Sequence, residues 1–152
     1  MVEISVMVFA AGFGKRMGAL TKDRPKPLVE VCGLPLIDHA LALVNGIDKT
    51  HVVINTHYKH EMLQAHFADA PIKISLEFPD VLETGGGLKA ALPMLETNPV
   101  ITLNSDVVWA GKNPLQELIN HWDSSRMDGL LLCIYPTQKY GHEGPGDFLM
   151  DT

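Results

Sequence analysis

The sequence predicts an α/β protein in three layers (α/β/α), with helices on both faces of a mostly parallel β-sheet. Apolar, strand-like segments alternate along the chain with amphipathic helical segments, in the order βαβαβαβαβ. The first strand, at 4–10, is apolar throughout rather than alternating, which is typical of a strand buried on both faces. The 152 residues suit a single domain, which we expect to span residues 1–152.

The boundaries of the remaining elements follow from periodicity and from capping residues. Pro35 and Gly46 frame a helix whose apolar residues recur at helical spacing, and Asn113 with Pro114 begins another. Thr84 is expected to cap a further helix. The other strands are expected at 51–55, 72–78, 99–103, 130–135 and from 148, with a short extended piece at 28–31, and the helices at 36–44, 57–67, 84–92 and 113–123.

The composition is that of a globular protein, with 46% apolar and 20% charged residues. The net charge of −6 argues against a general binder of nucleic acids or anionic membranes. No apolar run reaches the ~18–20 residues of a membrane span, and the N-terminus lacks the basic region of a signal peptide, so we expect a cytoplasmic protein. Cys32 and Cys133 lie far apart in apolar surroundings and are predicted to be buried free thiols.

A glycine-rich turn with adjacent cations follows the first strand and predicts a polyphosphate site. The chain is small and flexible from Ala10 to Gly14, and a ligand can approach such a backbone closely. Successive N–H groups in a turn of this kind can form a concave anion site. Lys15 and Arg16 stand beside the turn, and Lys26 lies between two prolines that restrict the backbone.

Two other phosphate-binding motifs fit this turn less well. A P-loop requires G-x-x-x-x-G-K-[ST], but Gly14 and Lys15 are followed by Arg16, and no glycine stands five residues before Gly14. The dinucleotide fingerprint requires a third glycine, but Gly18 is one residue late. That fingerprint also requires an acidic residue near the end of the second strand, where Asn55 stands instead. An NAD-type oxidoreductase is therefore the poorer hypothesis.

A second glycine cluster, in L-E-T-G-G-G at 82–87, opens the helix expected after the third strand. Glycines weaken a helix by about 1 kcal/mol each relative to alanine, so we expect them to serve a purpose other than helix stability. They leave an unobstructed backbone at a helix N-terminus, where a flat base, a ribose or a phosphate can lie close. A flexible loop before a helix is the alternative interpretation.

Asp106 follows the strand at 99–103, at the end of the sheet where α/β proteins bind their ligands. Magnesium prefers one or two carboxylates together with phosphate oxygens and water, which makes Asp106 the leading metal ligand. The alternative is an aspartate that caps the next turn. The histidines in 57–67 do not share one helix face, so we interpret that segment as a solvated helix rather than a metal site.

Five motifs occur together in an order and approximate spacing that resemble those of the sugar-1-phosphate nucleotidyltransferases. They are A-A-G-F-G-K-R-M, P-K-P-L, I-N-T-H, L-E-T-G-G-G and N-S-D-V, and the resemblance covers nearly the whole chain. It implies the Rossmann-like nucleotide-diphospho-sugar transferase fold. T-G-G-G, N-S-D-V-V-W and H-x-G-x-G-D-F look most like the N-acetylmuramate α-1-phosphate uridylyltransferases of bacterial cell-wall recycling, with mannose-1-phosphate guanylyltransferases close behind.

The resemblance implies transfer of a nucleotidyl group from a nucleoside triphosphate, expected to be UTP, to a sugar 1-phosphate, expected to be N-acetylmuramate 1-phosphate. The products are a nucleotide sugar and pyrophosphate. By the same resemblance, Arg16 contacts the leaving pyrophosphate, Lys26 draws the substrate phosphates together and Asp106 holds Mg²⁺. The nucleotide is expected to contact Ala10, Ala11, Gly12, Gly14, Lys15, Asn55, Glu83, Gly86 and Gly87.

The sequence departs from the family pattern toward its end. Members of the family continue through further strands and helices, which carry part of the sugar pocket and a second aspartate of the metal site. No late aspartate here clearly fills that role, because Asp147 belongs to another motif and Asp151 lies at the end. We therefore expect that the C-terminal part of the fold is lacking, which leaves an exposed sheet edge or apolar face able to form a homo-oligomer. The competing hypothesis is a non-catalytic module that senses a nucleotide or docks on a partner.

Overall fold

The computed structural model describes residues 3–141 together with 144, 146 and 148. The main sheet contains β1 (Ser5–Phe9), β4 (Val52–Thr56), β5 (Lys73–Leu76) and β6 (Val100–Asn104), and a separate hairpin joins β2 (Glu30–Val31) to β3 (Leu34–Pro35). The helices are α1 (Leu36–Asn45), α2 (His60–His66), α3 (Glu83–Leu95) and α4 (Pro114–His121). Short 3₁₀ turns lie at Lys15–Thr21, Lys26–Leu28 and Pro136–Gln138.

The main sheet is parallel throughout, in the order β5-β4-β1-β6, as the alternation of strands and helices predicts. β1 is a central strand, because Val6 pairs with Val52 of β4 on one side and with Ile101 of β6 on the other. Ser5 to Val8 are all buried, which explains the unbroken apolar run. Since the strands run in one direction, their carboxyl ends meet at one edge of the sheet.

Helices cover both faces of the sheet, which confirms the predicted three-layer arrangement. On one face, α1, α2 and α4 supply Ile37, Leu63 and Leu115 to the larger core. On the other face, the smaller core consists of Met7, Val53, Ala91 and Leu95, the last two from α3. Each large apolar side chain buried in this way stabilises the fold by about 1.5–3 kcal/mol, so both layers hold the strands firmly.

The ends of two helices agree with the predicted caps. The side chain of Asn113 accepts a hydrogen bond from the Leu115 N–H at 2.9 Å, and Pro114 occupies the first turn of α4. Gly46 is the C-cap of α1. None of the helices in the described part has the length and apolar character that a membrane span requires.

The predicted cap of the helix after the third strand is wrong. α3 begins at Glu83, so Thr84 lies inside the helix rather than in front of it. Leu82 precedes the helix, and no side chain there makes a cap hydrogen bond. Instead, the Leu82 N–H donates to the carboxylate of Glu77 at 2.7 Å, and this contact holds the entry into the helix.

The strand predicted at 130–135 is also wrong, because these residues have no regular secondary structure. Leu131, Ile134 and Tyr135 are 62%, 42% and 63% exposed, so the apolar run faces solvent. A strand requires a neighbour that pairs with its N–H and C=O groups, and no described strand pairs with this segment. His142 and Asp147 of the last quoted motif, Leu149 and Met150 of the strand predicted from 148, and Asp151 lie outside the described residues.

The two cysteines are free thiols, but the prediction that they are buried is wrong, because both are exposed. Cys32 lies in the turn of the β2–β3 hairpin with a φ of 54°. Cys133 lies in the exposed segment 130–135. The apolar neighbours of each cysteine in the sequence do not bury it, since neither segment packs into the core of the main sheet.

The main sheet has two edge strands, β5 and β6, and the expected open edge is the one at β6. Within the part of the chain that the structure describes, β6 pairs only with β1, so its other side has no strand partner. Thr102 and Asn104 of β6 are exposed. The expected exposed edge is therefore present, and self-association through it stays a prediction.

A small ion-pair network after α3 gives a pH-dependent prediction. Lys73 Nζ donates to Glu96 at 2.7 Å, and His51 Nε2 lies 3.5 Å from the same carboxylate. The hydrogen bond and charge of Lys73, followed by the charge of His51, lower the pKa of Glu96 below its ordinary value of 4.5. Because its pKa is lower in the folded state, Glu96 stabilises the fold above that ordinary value, and the contribution disappears as pH falls through the folded-state pKa.

We therefore expect Glu96→Gln to lower the melting temperature slightly at neutral pH and by less at an acidic pH below 4.5. Thermal melts of both proteins at the two pH values make the comparison. An equal loss at both pH values would show that the carboxylate charge is not the cause.

Candidate active site

A cleft of about 520 Å³ opens at the carboxyl ends of β1, β4 and β6. Its walls are the glycine turn after β1, the Lys26–Pro27 segment, the residues that end or follow the strands, and the beginning of α3. The predicted site residues that line it are Ala10, Ala11, Gly12, Gly14, Lys15, Arg16, Lys26, Asn55, Glu83 and Asp106. The structure thus brings together most of the predicted residues at the sheet edge where α/β proteins bind ligands.

Hydrogen bonds fix the glycine turn to the segment that follows it, and the turn is open toward the cleft. Gly14 has a φ of 66°, and its carbonyl accepts hydrogen bonds from the Met17 N–H at 2.9 Å and from the Thr21 hydroxyl at 3.2 Å. These bonds tie the turn to the 3₁₀ segment that follows it. Gly12 is exposed and lines the cleft, so its backbone is accessible to a ligand.

Cationic side chains line the cleft next to a single aspartate. Lys26 Nζ donates a short hydrogen bond to the carboxylate of Asp106, and the two side chains are 25% and 36% exposed. The Lys15 ammonium lies 5.1 Å from the centre of the Phe13 ring. Arg16 is exposed and forms no ion pair or hydrogen bond with any residue that the structure describes. The Arg16 guanidinium is therefore available to an anionic ligand.

Asn55 connects the glycine turn to a buried carboxylate. It is the last residue but one of β4, and only 3% of its surface is exposed. Its Oδ1 accepts from the Ala10 N–H at 2.7 Å, and its Nδ2 donates to Glu77 Oε1 at 2.8 Å. Glu77 Oε2 accepts from the Leu82 N–H. A chain of hydrogen bonds thus connects the glycine turn to the start of α3.

The glycines of α3 differ in what surrounds them. Gly87 is buried, and a Cβ there would lie 2.5 Å from Glu77 Oε1 and 2.8 Å from Asn55 Nδ2. Gly86 is partly exposed, and its added Cβ would lie 3.0 Å from the Cβ of Leu82. Neither glycine lines the cleft directly. Gly87 is therefore closely packed against Glu77 and Asn55.

Two buried polar residues of this region were not predicted as site residues. Glu77 and Ser105 line the cleft although they are only 1% and 4% exposed. The Ser105 hydroxyl donates to the Phe9 carbonyl at 2.6 Å, which ties the loop after β6 to the end of β1. Their place in the sequence could have identified them, because each residue directly follows the carboxyl end of a strand in the sheet.

Comparison with known proteins agrees with this architecture. N-acetylmuramate alpha-1-phosphate uridylyltransferase of Caulobacter vibrioides is 40% identical over 95% of this chain and 63% of its own length. Mannose-1-phosphate guanyltransferase of Hypocrea jecorina is 31% identical over 89% of this chain and 39% of its own length. The chain therefore spans less than two thirds of the length of these relatives.

A nucleotidyl transferase from Methanothermobacter has a similar fold, with a TM-score of 0.67 over 80% of this chain and 58% of that one, at 17% identity. This similarity, together with the parallel sheet between helix layers, establishes a Rossmann-like α/β fold of the nucleotidyltransferase type. Residues 6–144 match the family model of the MobA-like NTP transferase domain. Because that match covers most of the sequence, the chain belongs to the family of MobA-like NTP transferase domains.

Proposed function

We propose that this chain is a sugar-1-phosphate nucleotidyltransferase, which transfers a nucleotidyl group from a nucleoside triphosphate and releases pyrophosphate. The observation that carries this proposal is the convergence of the open glycine turn with Arg16, Lys26 and Asp106 in one cleft. The turn offers backbone N–H groups to phosphate oxygens, and the cations neutralise phosphate charge. The family to which the chain belongs supports the same reaction class.

The phosphate side of the proposed site is the glycine turn with its cations. The backbone of the exposed Gly12 and of the half-buried Gly14 receives the triphosphate, and Lys15 adds positive charge nearby. Arg16 binds the β- and γ-phosphates, because a guanidinium fork matches pairs of phosphate oxygens. Lys26 lines the same cleft, from where it draws the phosphates of the two substrates together.

The proposed chemistry is an in-line displacement at the α-phosphorus. The sugar-phosphate oxygen attacks while pyrophosphate leaves on the opposite side. Because this nucleophile is already anionic, no covalent intermediate with the protein is required. Catalysis by the chain then consists of positioning both substrates and of offsetting the charge that develops, for which Arg16 and Lys26 are the proposed groups.

Asp106 is the proposed ligand of a Mg²⁺ ion. Its carboxylate lines the cleft at the end of the sheet, and the neighbouring ammonium of Lys26 keeps it on the phosphate side. One carboxylate together with phosphate oxygens and water is a donor set that suits Mg²⁺. The ion supplies charge neutralisation at the phosphates when it is bound. As the triphosphate enters, Lys26 exchanges its contact with Asp106 for one with phosphate oxygens.

The nucleoside is proposed to lie between the end of β1 and the start of α3. Ala10, Ala11, Asn55 and Glu83 line the cleft on this side, and Gly86 and Gly87 lie further along α3. UTP and N-acetylmuramate 1-phosphate are the preferred substrates, since the relative at 40% identity bears the name of that uridylyltransferase. This assignment places the reaction in cytoplasmic peptidoglycan recycling. A guanylyltransferase is the second candidate, favoured by the Hypocrea relative.

Pyrophosphate release tests the proposed function. The chain is incubated with Mg²⁺, UTP and N-acetylmuramate 1-phosphate, with the other triphosphates and common hexose 1-phosphates in parallel. Release above the level of an Asp106→Ala variant supports the enzyme and identifies both substrates. Triphosphate binding without release supports instead the non-catalytic nucleotide-binding module. Release that is unchanged in the variant would contradict the assignment of Asp106.

Gly12→Ala is expected to weaken triphosphate binding without destabilising the fold. A Cβ at Gly12 meets no protein atom within 4 Å, so only a ligand close to the backbone would contact it. We expect a loss of UTP affinity of about tenfold, or about 1.4 kcal/mol. Titration with UTP and a thermal melt make the two measurements. Unchanged UTP affinity in the folded variant would argue against a triphosphate at this turn.

Gly14→Ala provides the contrast to that substitution. Gly14 has a φ of 66°, and its added Cβ would lie 2.9 Å from the Cβ of Lys26. We expect this variant to lose about 1–3 kcal/mol of folding stability, because alanine is strained in that backbone conformation.

A further inference from the structure

We infer that Glu77 is a positioning residue, which fixes the glycine turn and the start of α3 relative to each other through the buried amide of Asn55. We call the set Asn55, Glu77 and Gly87 the amide clamp. This inference rests on the proposed function, because it gives the clamp a role in binding the nucleoside part of the nucleotide. It assigns that role to contacts within the protein rather than to a contact with the base.

Hydrogen bonds fix both the backbone and the side chain of Glu77. Its N–H donates to the Thr56 carbonyl at 2.9 Å, and its carbonyl lies 2.9 Å from His57 Nδ1. Only 1% of its surface is exposed, and its carboxylate would have to give up its hydrogen bonds with Asn55 and Leu82 to reach solvent. A buried carboxylate is unfavourable unless donors meet its oxygens, and here the Asn55 and Leu82 N–H groups do so.

The hydrogen bonds of the clamp require one arrangement of donors and acceptors. A backbone N–H can only donate, so the Ala10 N–H must face the carbonyl oxygen of Asn55. The Asn55 amino group then faces Glu77, whose other oxygen faces the Leu82 N–H. Every donor therefore meets an acceptor, because the amide at 55 both accepts and donates while the carboxylate at 77 only accepts.

Gly87 brings α3 directly against the clamp. A Cβ there would lie 2.5 Å from Glu77 Oε1 and 2.8 Å from Asn55 Nδ2, closer than side chains can approach. The absence of a side chain therefore lets the helix backbone lie against both groups. The clamp is thus bonded to Ala10 in the phosphate turn, to Leu82 before α3, and packed against α3 itself.

The two ends of the clamp correspond to two parts of the proposed nucleotide site. Ala10 begins the turn that we assign to the phosphates, and Leu82 leads into the helix that we assign to the nucleoside. A disturbed clamp should therefore harm a ligand that spans both parts, such as UTP. Inorganic tripolyphosphate requires only the turn and should be affected far less.

Exchange of the two side-chain polarities tests the inference. In Glu77→Gln, the new amino group faces another donor, either the Asn55 amide or the Leu82 N–H. In Asn55→Asp, the new carboxylate faces the carboxylate of Glu77. In the double variant Asn55→Asp/Glu77→Gln, the new carboxylate at 55 accepts from the Ala10 N–H and from the new amide at 77. The carbonyl of that amide accepts from the Leu82 N–H. Shape and net charge are unchanged from the wild type.

Each single variant is expected to lower the melting temperature by about 5 °C. Each should also weaken Mg²⁺-dependent UTP binding by about tenfold or more, with tripolyphosphate binding changed by less than about twofold. The double variant is expected to recover both the melting temperature and the UTP affinity. The matched control Asn120→Asp/Glu30→Gln makes the same exchange at exposed positions and should leave both measurements unchanged.

Three results would overturn the inference, and each has a different meaning. Recovery of the melting temperature without recovery of UTP affinity would show that the charge of Glu77 acts on the ligand directly. No recovery of either would show that polarity does not hold the clamp together. Wild-type protein that binds neither UTP nor tripolyphosphate would refute the proposed function and the nucleotide role of the clamp, while the melts still decide whether the clamp exists.

Gly87→Ala is the second variant, in case a single polarity variant fails to fold. We expect it to weaken UTP binding more than tripolyphosphate binding, because its Cβ would displace both clamp side chains. Gly85→Ala is its control on the same helix, since a Cβ at Gly85 meets nothing within 4 Å. Equal behaviour of the two glycine variants toward UTP would overturn the inference.

Discussion

Asp106→Ala is expected to remove the metal dependence of triphosphate binding. With Mg²⁺ present, the variant should bind UTP about 10–100-fold more weakly, a range typical of disturbed metal sites. Without Mg²⁺ it should bind UTP as well as the wild type or better, because an anionic group near the phosphates is gone. A loss of UTP affinity that occurs only when Mg²⁺ is present is specific to a metal ligand.

Titration calorimetry with and without a chelator measures both effects. Asp48→Ala is a suitable control, because it removes the same charge from an exposed position outside the cleft. A variant that loses UTP affinity equally with and without Mg²⁺ would show that Asp106 supports the fold of the cleft rather than the ion. Thermal melts separate that outcome from unfolding, since a half-exposed ion pair contributes only about 0–1 kcal/mol.

Arg16→Ala is expected to weaken UTP binding by about 100-fold and UMP binding little. The guanidinium has no partner among the described residues, so its hydrogen-bonding capacity is available to phosphate. Two hydrogen bonds to a charged group at about 1.5 kcal/mol each account for the loss. Arg16→Lys should recover only part of the affinity, because an ammonium cannot bind two phosphate oxygens in the fork geometry of arginine.

Comparison of UTP with UMP locates this effect on the terminal phosphates. Arg126→Ala is the matched control, since it removes an exposed arginine that does not line the cleft. If Arg16→Ala weakened UMP as much as UTP, the guanidinium would act on the α-phosphate or the nucleoside instead. If the control lost as much UTP affinity as Arg16→Ala, the overall charge of the protein would be the cause.

The position of the glycine turn and its cations at the cleft could be predicted because these residues are close together in the sequence. A buried strand at 4–10 leads directly into the glycine turn, so its carboxyl end places Gly12 and Gly14 at the sheet edge. The segment with Lys26 follows within a short distance along the chain. Asp106 could be placed because it follows another strand of the same parallel sheet.

The burial of Glu77 could not be predicted from the alternation of apolar and polar residues in 72–78, because alternation gives the period of a strand but not the face that is buried. In this segment Leu76 is one of the apolar residues, which usually face a core, and Glu77 is one of the polar residues. In the structure Leu76 is 44% exposed and Glu77 is 1% exposed. β5 is an edge strand, and its orientation is set by pairing with β4 and by the contacts of α3, which the local sequence does not contain.

The segment 130–135 illustrates a second limit of local patterns. Its apolar, β-branched composition favours an extended strand, but strand formation depends on a neighbour with free N–H and C=O groups. The same cause accounts for Cys133, which the sequence placed in the core and the structure leaves exposed. Burial of such a segment is decided by pairing partners elsewhere in the fold.

Calorimetric titration of the wild-type chain with UTP tests the central claim most directly. The proposed site predicts saturable binding at one site per chain in the presence of Mg²⁺, and weaker binding after chelation. GTP, CTP and ATP in parallel titrations report the choice of base. Absence of saturable binding to any of the four triphosphates with Mg²⁺ would contradict a nucleotide site in this cleft.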